Sequence, residues 1–427
     1  MRIGILSQWY PPEPGSASVP GVLARALASR GHEVVVATGF PNYPLGRIAP
    51  GYRMRWRADE RDGDVLVRRV ALYPSHDRSK LRRTLNYASF AASATASATS
   101  LLRTADAIWV YNSPATVGLP SAAASLAGGP PHLMHVMDLW PDSILFSGLA
   151  GGRTYEAMAA LLDRWCGWTY RRATAIACIS RGLVDELAAR GVARDKLHYI
   201  PIWTDEEQYR PLPPDERLRR ELGVEDTFVV LYAGNLGDTQ GLDGLLEVGE
   251  RIRDLPARIL LAGSGTAEDR LRAEARRRGL ANVAFLGRWP SDDMGRLLSV
   301  ADVALVSLSD DPLTTMTMPS KLPAILAAGM PVLAWASGEV ARTIRGGGCG
   351  FVADPGDVDQ LEGAVREAYR AGPEALDRLG AAGRRHYRAE FSLQTGVDAV
   401  ERLLSDLVAR RSTDGPRPSF AGTGGER

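Results

Sequence analysis

The sequence predicts an α/β fold of two doubly wound, Rossmann-like domains that face one another across a cleft. The chain has 427 residues, about three times the common size of one domain. Short apolar segments alternate with helix-length segments, which is typical of parallel sheets covered by helices on both faces. The 44 glycines suit the many tight strand-to-helix turns that such a fold needs.

The predicted strands form two groups. Those of the first half are IGIL (3–6), EVVVAT (33–38), VLVRRV (65–70), AIWVY (107–111), HLMHVM (132–137) and AIACIS (175–180). Those of the second half are FVVLYAG (228–234), RILLAG (258–263), VAFLG (283–287), VALVSL (303–308), PVLAW (331–335) and GFVAD (350–354). The proline-rich segment 199–214 separates them, because it shows neither a strand period nor a helix period.

We therefore predict an N-terminal domain over 1–205 and a C-terminal domain over 206–392. Apolar residues at helical spacing predict a C-terminal helix over 393–411 that returns toward the N-terminal domain. The segment 412–427 is polar and rich in Gly and Pro, which predicts a disordered tail. Doubly wound sheets bind ligands at the carboxyl ends of their strands, so we expect the function to lie between the domains.

Charge and cysteine content exclude several classes of function. Lys and Arg number 51 against 50 Asp and Glu, and this balance argues against nucleic acid as a partner. The three cysteines are far apart and show no C-x-x-C spacing, so neither a zinc site nor a disulfide framework is encoded. We expect no metal and no cofactor.

The N-terminal segment and the distribution of apolar residues indicate the cellular compartment of the protein. The segment MRIGILSQWYPP carries one basic residue and an apolar run too short for a signal peptide. The sequence contains no apolar stretch of about eighteen residues or more, the length that a membrane-spanning helix needs. We expect a cytoplasmic protein.

The segment MPSKLPAILAAGMPVLAW (318–335) is the clearest candidate anion site. Ser320 suits a helix N-cap, Lys321 would open the helix, and Gly329 would end it before the next strand. Unpaired backbone N–H groups at a helix start, together with the Lys321 ammonium, suit a diphosphate. The alternative is an ordinary capped helix with a solvated lysine.

The loop after the first strand, QWYPPEPGSASVPG, is long for a strand-to-helix turn. It carries the candidate substrate contacts Glu13, Gly15 and Ser16 just before a helix, and Gly15 would let the backbone approach a ligand closely. The spacing is not the G-x-G-x-x-G pattern of dinucleotide-binding loops. The alternative is a plain surface loop.

Three consecutive strand-to-helix turns of the second half carry glycines. The turn AGNLGDTQG contains Asn235 and Gln240, LAGSG contains Gly265, and FLGRWP contains Arg288. One such turn is weak evidence of a site. Three in a row indicate a nucleotide-sized ligand that lies along the strand ends.

Asp138 in MDLWPDS follows a predicted strand and should stand at its carboxyl end. Its carboxylate could accept hydrogen bonds from sugar hydroxyls or carry a proton, so Asp138 and Lys321 are the candidate catalytic residues. His135 lies within the apolar strand itself. We interpret it as a hydrogen-bonded core histidine.

The segment from Arg47 to Arg83 is unusually basic. It contains Arg53, Arg55, Arg57, Arg68, Arg69, Arg78, Lys80, Arg82 and Arg83, with Tyr52, Met54 and Trp56 between them. Such a patch could rest peripherally on an anionic membrane surface or hold an anionic lipid-linked acceptor. A solvated face with scattered ion pairs is equally compatible with it.

Taken together, these segments resemble glycosyltransferase family 4, of the two-domain GT-B fold, up to about residue 412. The similarity is to the branch of O-antigen, capsule and colanic-acid transferases and L-fucosamine-transferase-like enzymes. It rests on QWYPPEPG, RGHEVVVATGFPNYPLG, MDLWPDS, YIPIWTD, YAGNLGDTQG, FLGRWP, MPSKL with LAAGMPVLA, and GEVARTI. The resemblance implies a retaining, metal-independent transferase, with a nucleotide-sugar donor against the C-terminal domain and the acceptor against the N-terminal domain.

The loop GNLGDTQG departs from the family pattern. Where most of the family carries Arg and Lys that grip the diphosphate, this chain has Asn235 and Gln240. The positive charge must therefore come from elsewhere. Lys321 is the first candidate and Arg288 the second.

The Glu-x7-Glu signature of the family is also missing. Its two positions fall at Met316 and Ala324. In the family the second glutamate normally holds the donor ribose. We assign that role to Glu339 in SGEVARTI.

The sequence thus predicts a retaining hexosyltransferase that uses an N-acetylated or deoxy hexose, with a UDP-linked donor implied by the family. The acceptor is left open among a cell-envelope glycan, a lipid-linked sugar and a secondary metabolite. A catalytically silent glycosyltransferase-like subunit, a sugar-nucleotide epimerase and a phosphorylase are the alternatives. A phosphorylase needs a lysine bound to pyridoxal phosphate, and Lys321 at an anion site fits that role poorly.

Overall fold

The computed structural model describes residues 1–76, 79–142 and 153–413, without the side chains of 80 and 153–158. The chain divides into two compact units. The first contains Met1–Cys178, Leu187–Tyr199 and the chain from Val397 onward, and the second contains Ile179–Glu186 and Ile200–Gly396. From residue 414 the predicted tail lies outside the described residues. None of the helices in the described ranges is both long enough and apolar enough to cross a bilayer.

The first unit is built on an eight-stranded sheet. Its strands are β1 (Arg2–Leu6), β2 (Glu33–Gly39), β3 (Arg57–Asp62), β4 (Val65–Val70), β5 (Ala107–Asn112), β6 (His132–Val136), β7 (Ala175–Cys178) and β8 (Leu197–Tyr199). Their order is β3-β4-β2-β1-β5-β6-β7-β8, and only the β3–β4 pair is antiparallel. Every residue of β5 and β6 is buried, as expected for parallel strands covered on both faces.

The helices of the first half of the chain are α1 (Val19–Ser29), α2 (Lys80–Leu102), α3 (Gly118–Leu126), α4 (Arg153–Arg172) and α5 (Arg181–Ala189), of which α5 begins in the second unit. Helix α2 begins after Ser79, whose hydroxyl accepts from the N–H of Arg82. It buries Phe90, Ala94 and Ala98, which are spaced by four residues and so share one helix face. Because two of the three are alanines, the helix packs closely on the apolar surface of the sheet.

The second unit is built on a six-stranded, fully parallel sheet. Its strands are β9 (Phe228–Ala233), β10 (Ala257–Ala262), β11 (Val283–Gly287), β12 (Val303–Ser307), β13 (Val332–Trp335) and β14 (Gly350–Ala353), in the order β11-β10-β9-β12-β13-β14. Its helices are α6 (Glu216–Glu221), α7 (Asp243–Arg251), α8 (Glu268–Arg277), α9 (Met294–Leu298), α10 (Pro312–Met316), α11 (Lys321–Ala327), α12 (Gly338–Gly347), α13 (Val358–Ala371) and α14 (Pro373–Glu390). Successive residues of β9 enter different apolar clusters, Val230 on one face and Leu231 on the other.

The last helix, α15 (Leu393–Thr413), confirms the predicted C-terminal helix, and from Val397 it belongs to the first unit. Glu401 on α15 accepts from the Arg30 guanidinium at 2.5 Å and lies 2.8 Å from Nε2 of His32. These two contacts hold the pKa of Glu401 below its usual value. Arg30 also pairs with Asp398 at 2.7 Å, so α15 is attached to the end of α1 by charge.

The twelve predicted strands are all present, with ends that differ by at most two residues. Strands β3 and β8 were not predicted. Strand β3 lies at the sheet edge and is half exposed, so it needs no apolar residues. Its sequence, RADERD, therefore shows no apolar alternation from which a strand could be predicted. Strand β8 has only three residues, too few for a period.

Close approach of neighbouring loops explains two of the glycines after the strands. Gly263 follows β10 with φ of +139°, and a Cβ added there would lie 1.8 Å from the carbonyl oxygen of Gly234. Gly234 follows β9 with φ of +150°. Residues with a side chain rarely adopt such φ values, and beside Gly263 the space for a Cβ is already filled by backbone.

We expect Gly263→Ala to lower the free energy of unfolding by about 2 to 4 kcal/mol, because it adds both backbone strain and a backbone clash. Gly363→Ala in α13 is the matched control, since no atom lies within 4 Å of the added Cβ. There alanine should raise stability by up to about 1 kcal/mol through helix propensity. Urea unfolding of both variants measures the difference, and equal stabilities would contradict the packing argument.

Candidate functional site

The strand order of the second sheet reverses between β9 and β12. Ligands of doubly wound sheets bind beyond the strand ends at such a point. Here the loop after β9 meets the loop after β12. The Ser307 hydroxyl donates to the Gln240 carbonyl at 2.5 Å, and the N–H of Ser309 donates to the Thr239 carbonyl at 2.9 Å. The candidate site of the second unit lies at this edge.

Lys321 places a cation at this edge. Its ammonium donates to the Tyr232 hydroxyl at 2.8 Å and lies 4.0 Å from the centre of the Tyr232 ring. The nitrogen is 2.8 Å from the position that a Cβ of Gly234 would take, so a glycine is needed beside it. The residue is half-buried by surface area, and desolvation of the ammonium lowers the pKa of Lys321 to about 7.

An ammonium carries three N–H donors. Lys321 uses one of them in the contacts of the described residues, and the Tyr232 ring face supplies the only other attraction to the charge there. The group therefore has donors left for an oxygen anion. A bound anion would also favour the protonated form.

Asn235 and Gln240 brace the loop after β9. The side-chain oxygen of Gln240 accepts from the N–H of Gly237 and from the amide of Asn235, both at 3.1 Å. The Gln240 amide donates to the Thr239 hydroxyl at 2.8 Å. These contacts are internal to the loop, and the predicted contacts of both residues with a ligand stay predictions.

Three exposed residues on neighbouring loops at this edge have unpaired backbone N–H groups. Those of Asn235, Ser264 and Gly265 have no acceptor within the part of the chain that the structure describes. Gly265 packs against the Leu236 carbonyl, where a Cβ would come within 2.3 Å of the oxygen. Backbone N–H groups and one ammonium are a suitable donor set for diphosphate oxygens.

Ser320 occupies the N-cap position and Lys321 opens the helix, as predicted, but Ser320 does not cap the helix with its side chain. Ser320 precedes α11, but its backbone is already helical (φ −57°, ψ −22°) and its side chain makes no cap hydrogen bond. Helix α11 has seven residues, so its dipole is small and the charge of Lys321 is the main attraction for an anion. Arg288 after β11 is exposed, with no ion pair among the described residues.

Glu339 is already bonded to donors of the second unit. Its carboxylate accepts from the N–H groups of Arg181 (3.3 Å) and Gly182 (3.4 Å) and from the Arg342 guanidinium. It therefore caps the start of α5, and only 3% of the residue is exposed. The geometry gives Glu339 a structural role, while its predicted ribose contact stays a prediction.

Glu13 in the first unit has a comparable role. One carboxylate oxygen accepts from the N–H groups of Asn42 and Tyr43, both at 2.8 Å, and the other accepts from the N–H of Tyr10 at 3.1 Å. Desolvation raises the pKa of Glu13, and these three N–H groups and Arg69 oppose that rise. Glu13 thus joins the loops after β1 and β2, and its predicted substrate contact stays a prediction.

Gly15 and Ser16 lie at the switch point of the first sheet, where the strand order reverses between β1 and β5. Gly15 has φ of +66° and begins a short 3-10 turn that leads directly into α1. The Ser16 carbonyl accepts from the Tyr111 hydroxyl on β5 at 3.0 Å. Both residues are exposed, and nothing lies within 4 Å of a Cβ built on Gly15, so a ligand has room there.

Asp138 stands after β6, beside Ser113, which follows the neighbouring β5. The Ser113 hydroxyl donates to Oδ2 of Asp138 at 2.9 Å. Asp138 is exposed by surface area, yet enough protein surrounds the carboxylate for desolvation to raise its pKa, while Ser113 opposes the rise. Because the side chain of Asp138 reaches solvent, we expect it to be ionised at neutral pH.

The interpretation of His135 as a core histidine is confirmed, since His135 is buried and accepts a hydrogen bond from the Trp109 indole at 3.3 Å.

The sequence reasoning missed Tyr232, Tyr111 and Ser113. Each lies at or just beyond the carboxyl end of a strand next to a predicted site residue, and that position was the available signal. The described residues contain no group of three or more His, Cys, Asp or Glu side chains that could hold a metal ion.

Two family models match the chain in succession. The model of the glycosyl transferase 4-like domain matches residues 15–203, and that of the glycosyl transferases group 1 matches residues 214–386. WcaI of Escherichia coli (strain K12), named as a colanic acid biosynthesis glycosyl transferase, is 28% identical over 379 residues, which cover 86% of this chain and 92% of WcaI. The 2-deoxystreptamine glucosyltransferase of Streptomyces kanamyceticus is 26% identical over 392 residues, which cover 87% of this chain and 93% of that enzyme.

Solved structures show the same fold. Anabaena HepE in complex with UDP superposes with a TM-score of 0.69 at 18% identity and covers 95% of this chain and 100% of that one. WaaG, a glycosyltransferase involved in lipopolysaccharide biosynthesis, superposes with a TM-score of 0.62 at 16% identity. The match covers 95% of this chain and 99% of the WaaG chain.

Proposed function

We propose, on the premise that the chain belongs to the family 4 glycosyltransferases, that it transfers the hexose of a UDP-hexose to an acceptor hydroxyl with retention of configuration at the anomeric carbon. The chain is a glycosyltransferase of the GT-B fold that uses a nucleotide-sugar donor. The observation that carries the finer proposal is the Lys321 ammonium beside unpaired backbone N–H groups at the strand ends of the second unit.

The donor diphosphate is bound by Lys321 and by the N–H groups of Asn235, Ser264 and Gly265. Hydrogen bonds to a charged group stabilise a complex by about 1.5 to 3 kcal/mol each, more than neutral ones do. Arg288 is long and exposed, and it is the second source of charge. The choice of UDP is supported by the UDP bound to the similar HepE.

The reaction requires one bond exchange and one proton transfer. The acceptor oxygen bonds to the anomeric carbon while the bond from that carbon to the diphosphate oxygen breaks. The acceptor proton passes to the leaving diphosphate on the same face of the sugar. Lys321 stabilises the charge that grows on the diphosphate, so its contribution increases in the transition state.

Asp138 contacts the reacting sugar in this proposal. Its exposed carboxylate stabilises the positive character of the sugar ring, and Ser113 fixes its orientation. For the acceptor we propose a lipid-linked cell-envelope glycan, which the similarity to WcaI supports. The similar 2-deoxystreptamine glucosyltransferase makes a small aminocyclitol the competing acceptor class.

The decisive experiment offers purified protein a panel of UDP-, GDP- and dTDP-linked hexoses. Thermal shifts identify the donor, because a ligand that binds the folded state stabilises it. Donor hydrolysis or transfer is then measured in excess EDTA, since we propose that no metal takes part. Binding without turnover would instead indicate a silent subunit, and turnover restored by magnesium or manganese would refute metal independence.

Lys321→Ala should weaken donor binding about ten- to a hundredfold, because it removes a charged contact to the diphosphate. The wild-type affinity should also fall by about tenfold between about pH 6 and pH 8.5, as the ammonium with a pKa near 7 loses its proton. The variant should lack this pH dependence. Titration calorimetry with the donor at both pH values measures both effects.

Arg217→Ala is the matched control for Lys321. Arg217 is an exposed cation of the second unit that pairs with Glu221 four residues along α6. Its loss should leave donor affinity unchanged. An unchanged affinity in Lys321→Ala itself would reject the assignment of Lys321 to the diphosphate.

Asp138→Asn should lower kcat by roughly a hundredfold and change donor affinity little, because the charge acts mainly in the transition state. The amide keeps the shape and can still accept from Ser113. A purely structural Asp138 would instead give a lower Tm with normal turnover per folded molecule. Measuring Tm, donor affinity and kcat on this variant separates the two roles.

A further inference from the structure

We propose that the first unit docks on an anionic phospholipid surface through a face made of Leu45, Trp56, Leu81 and Leu85 with Arg53 and Arg55. We name it the basic–apolar face. Its residues include neither Asp138 nor the donor residues of the second unit. The proposal therefore does not depend on the donor chemistry.

Exposed apolar side chains concentrate in this part of the chain. Among the described residues, six of the eleven large hydrophobic residues that are exposed fall between 45 and 85. Leu45 is 69% exposed, Trp56 62% and Leu81 70%. The other three are Met54, Tyr73 and Leu85. Single exposed apolar residues need no explanation, but a cluster of this kind marks an interaction surface.

Contacts hold the segments that carry these residues together. The ring of Tyr43 meets the ring of His76 at 4.7 Å, and the Asn86 amide donates to Asn42 at 3.2 Å. The N–H of Ala71 donates to the Trp56 carbonyl at 3.1 Å. The loop after β2 therefore lies against the segment that precedes α2 and against the first turns of α2.

The segments of this face carry an excess of positive charge. Residues 40–57 contain four arginines and no acidic residue, and residues 77–104 contain one acidic residue, Asp77, against Lys80 and four arginines. The whole chain is nearly neutral, so the excess is local. Arg53 and Arg55 are exposed and have no ion pair among the described residues.

Two arginines of the basic segment belong to the fold instead. Arg68 forms a two-pronged bond with Asp59, at 2.8 and 2.7 Å. Arg69 is buried, pairs with Glu60 at 2.6 Å and lies over the Tyr52 ring. The structure thus limits the basic patch to the loop after β2 and the start of α2.

The start of α2 suits an interfacial position. Leu81 and Leu85 are one turn apart and both are exposed, so they project from the same face of the helix. The exposed Arg82 and Arg83 lie beside them. Apolar side chains that enter the acyl boundary, with arginines at the level of the lipid phosphates, are the pattern of helices that lie in the membrane interface. This complementarity of charge favours lipid over an apolar protein partner.

The test is co-sedimentation of the full-length protein with vesicles of phosphatidylcholine alone and of phosphatidylcholine mixed with phosphatidylglycerol. We expect binding to the anionic vesicles, weakened by salt. Arg53→Gln with Arg55→Gln should reduce partitioning about thirtyfold, since each arginine contributes about 1 kcal/mol at such a surface. Trp56→Ser with Leu81→Ser should reduce it at least as much, because these side chains are the most exposed apolar groups of the face.

Matched controls use exposed residues elsewhere. Leu126→Ser with Leu212→Ser removes exposed leucines, and Arg217→Gln with Arg220→Gln removes exposed arginines. Both should bind vesicles like the wild type, and all variants should keep the wild-type Tm and donor hydrolysis. The proposal is overturned by equal binding to neutral and anionic vesicles, by no binding, by face variants that bind normally, or by a stable dimer that the face variants abolish.

Discussion

The site of the second unit depends on one constraint, which is that all strands of a parallel sheet end at the same edge. The loops after β9, β10 and β11 must therefore share a narrow space. Gly234 and Gly263 allow this, because both have a positive φ and the Gly234 carbonyl occupies the place that a Cβ of Gly263 would take. Backbone N–H groups and the Lys321 ammonium lie at this edge, and both kinds of donor suit anionic oxygens.

Burial decides which charged residues are free to bind a ligand. A buried ionised group is stable only when nearby groups satisfy it. Glu13 and Glu339 each accept three donors from the protein, so their capacity is used within the fold. Desolvation lowers the pKa of Lys321 toward neutrality, and its contacts with a hydroxyl and an aromatic face leave donors for an anion. A charge that is incompletely satisfied is the better indicator of a binding site.

The same rule separates the two parts of the basic segment in the first unit. The antiparallel pairing of β3 with β4 places Asp59 opposite Arg68 and Glu60 near Arg69, so these charges are neutralised across the strands. Residues 40–57, which carry Arg53 and Arg55, contain no acidic residue, and residues 77–104 contain one, Asp77, against five basic residues. Pairing within the sheet, rather than the number of arginines, determines which of them can meet a partner.

The sequence by itself determined the α/β class, the twelve predicted strands and the family, because these depend on local apolar patterns and on contiguous motifs. It also proposed Lys321 and Asp138 as site residues, a prediction that rests on recognisable turns. Only the tertiary structure decided that Glu13 and Glu339 are bonded within the fold, that Ser320 makes no cap bond, that Tyr232 holds Lys321, and that β3 exists. These outcomes depend on partners 29 to 158 positions away along the chain or on a sheet edge with no apolar period. Local pattern does not specify which distant donor or acceptor satisfies a given group, since that choice is made when the chain packs.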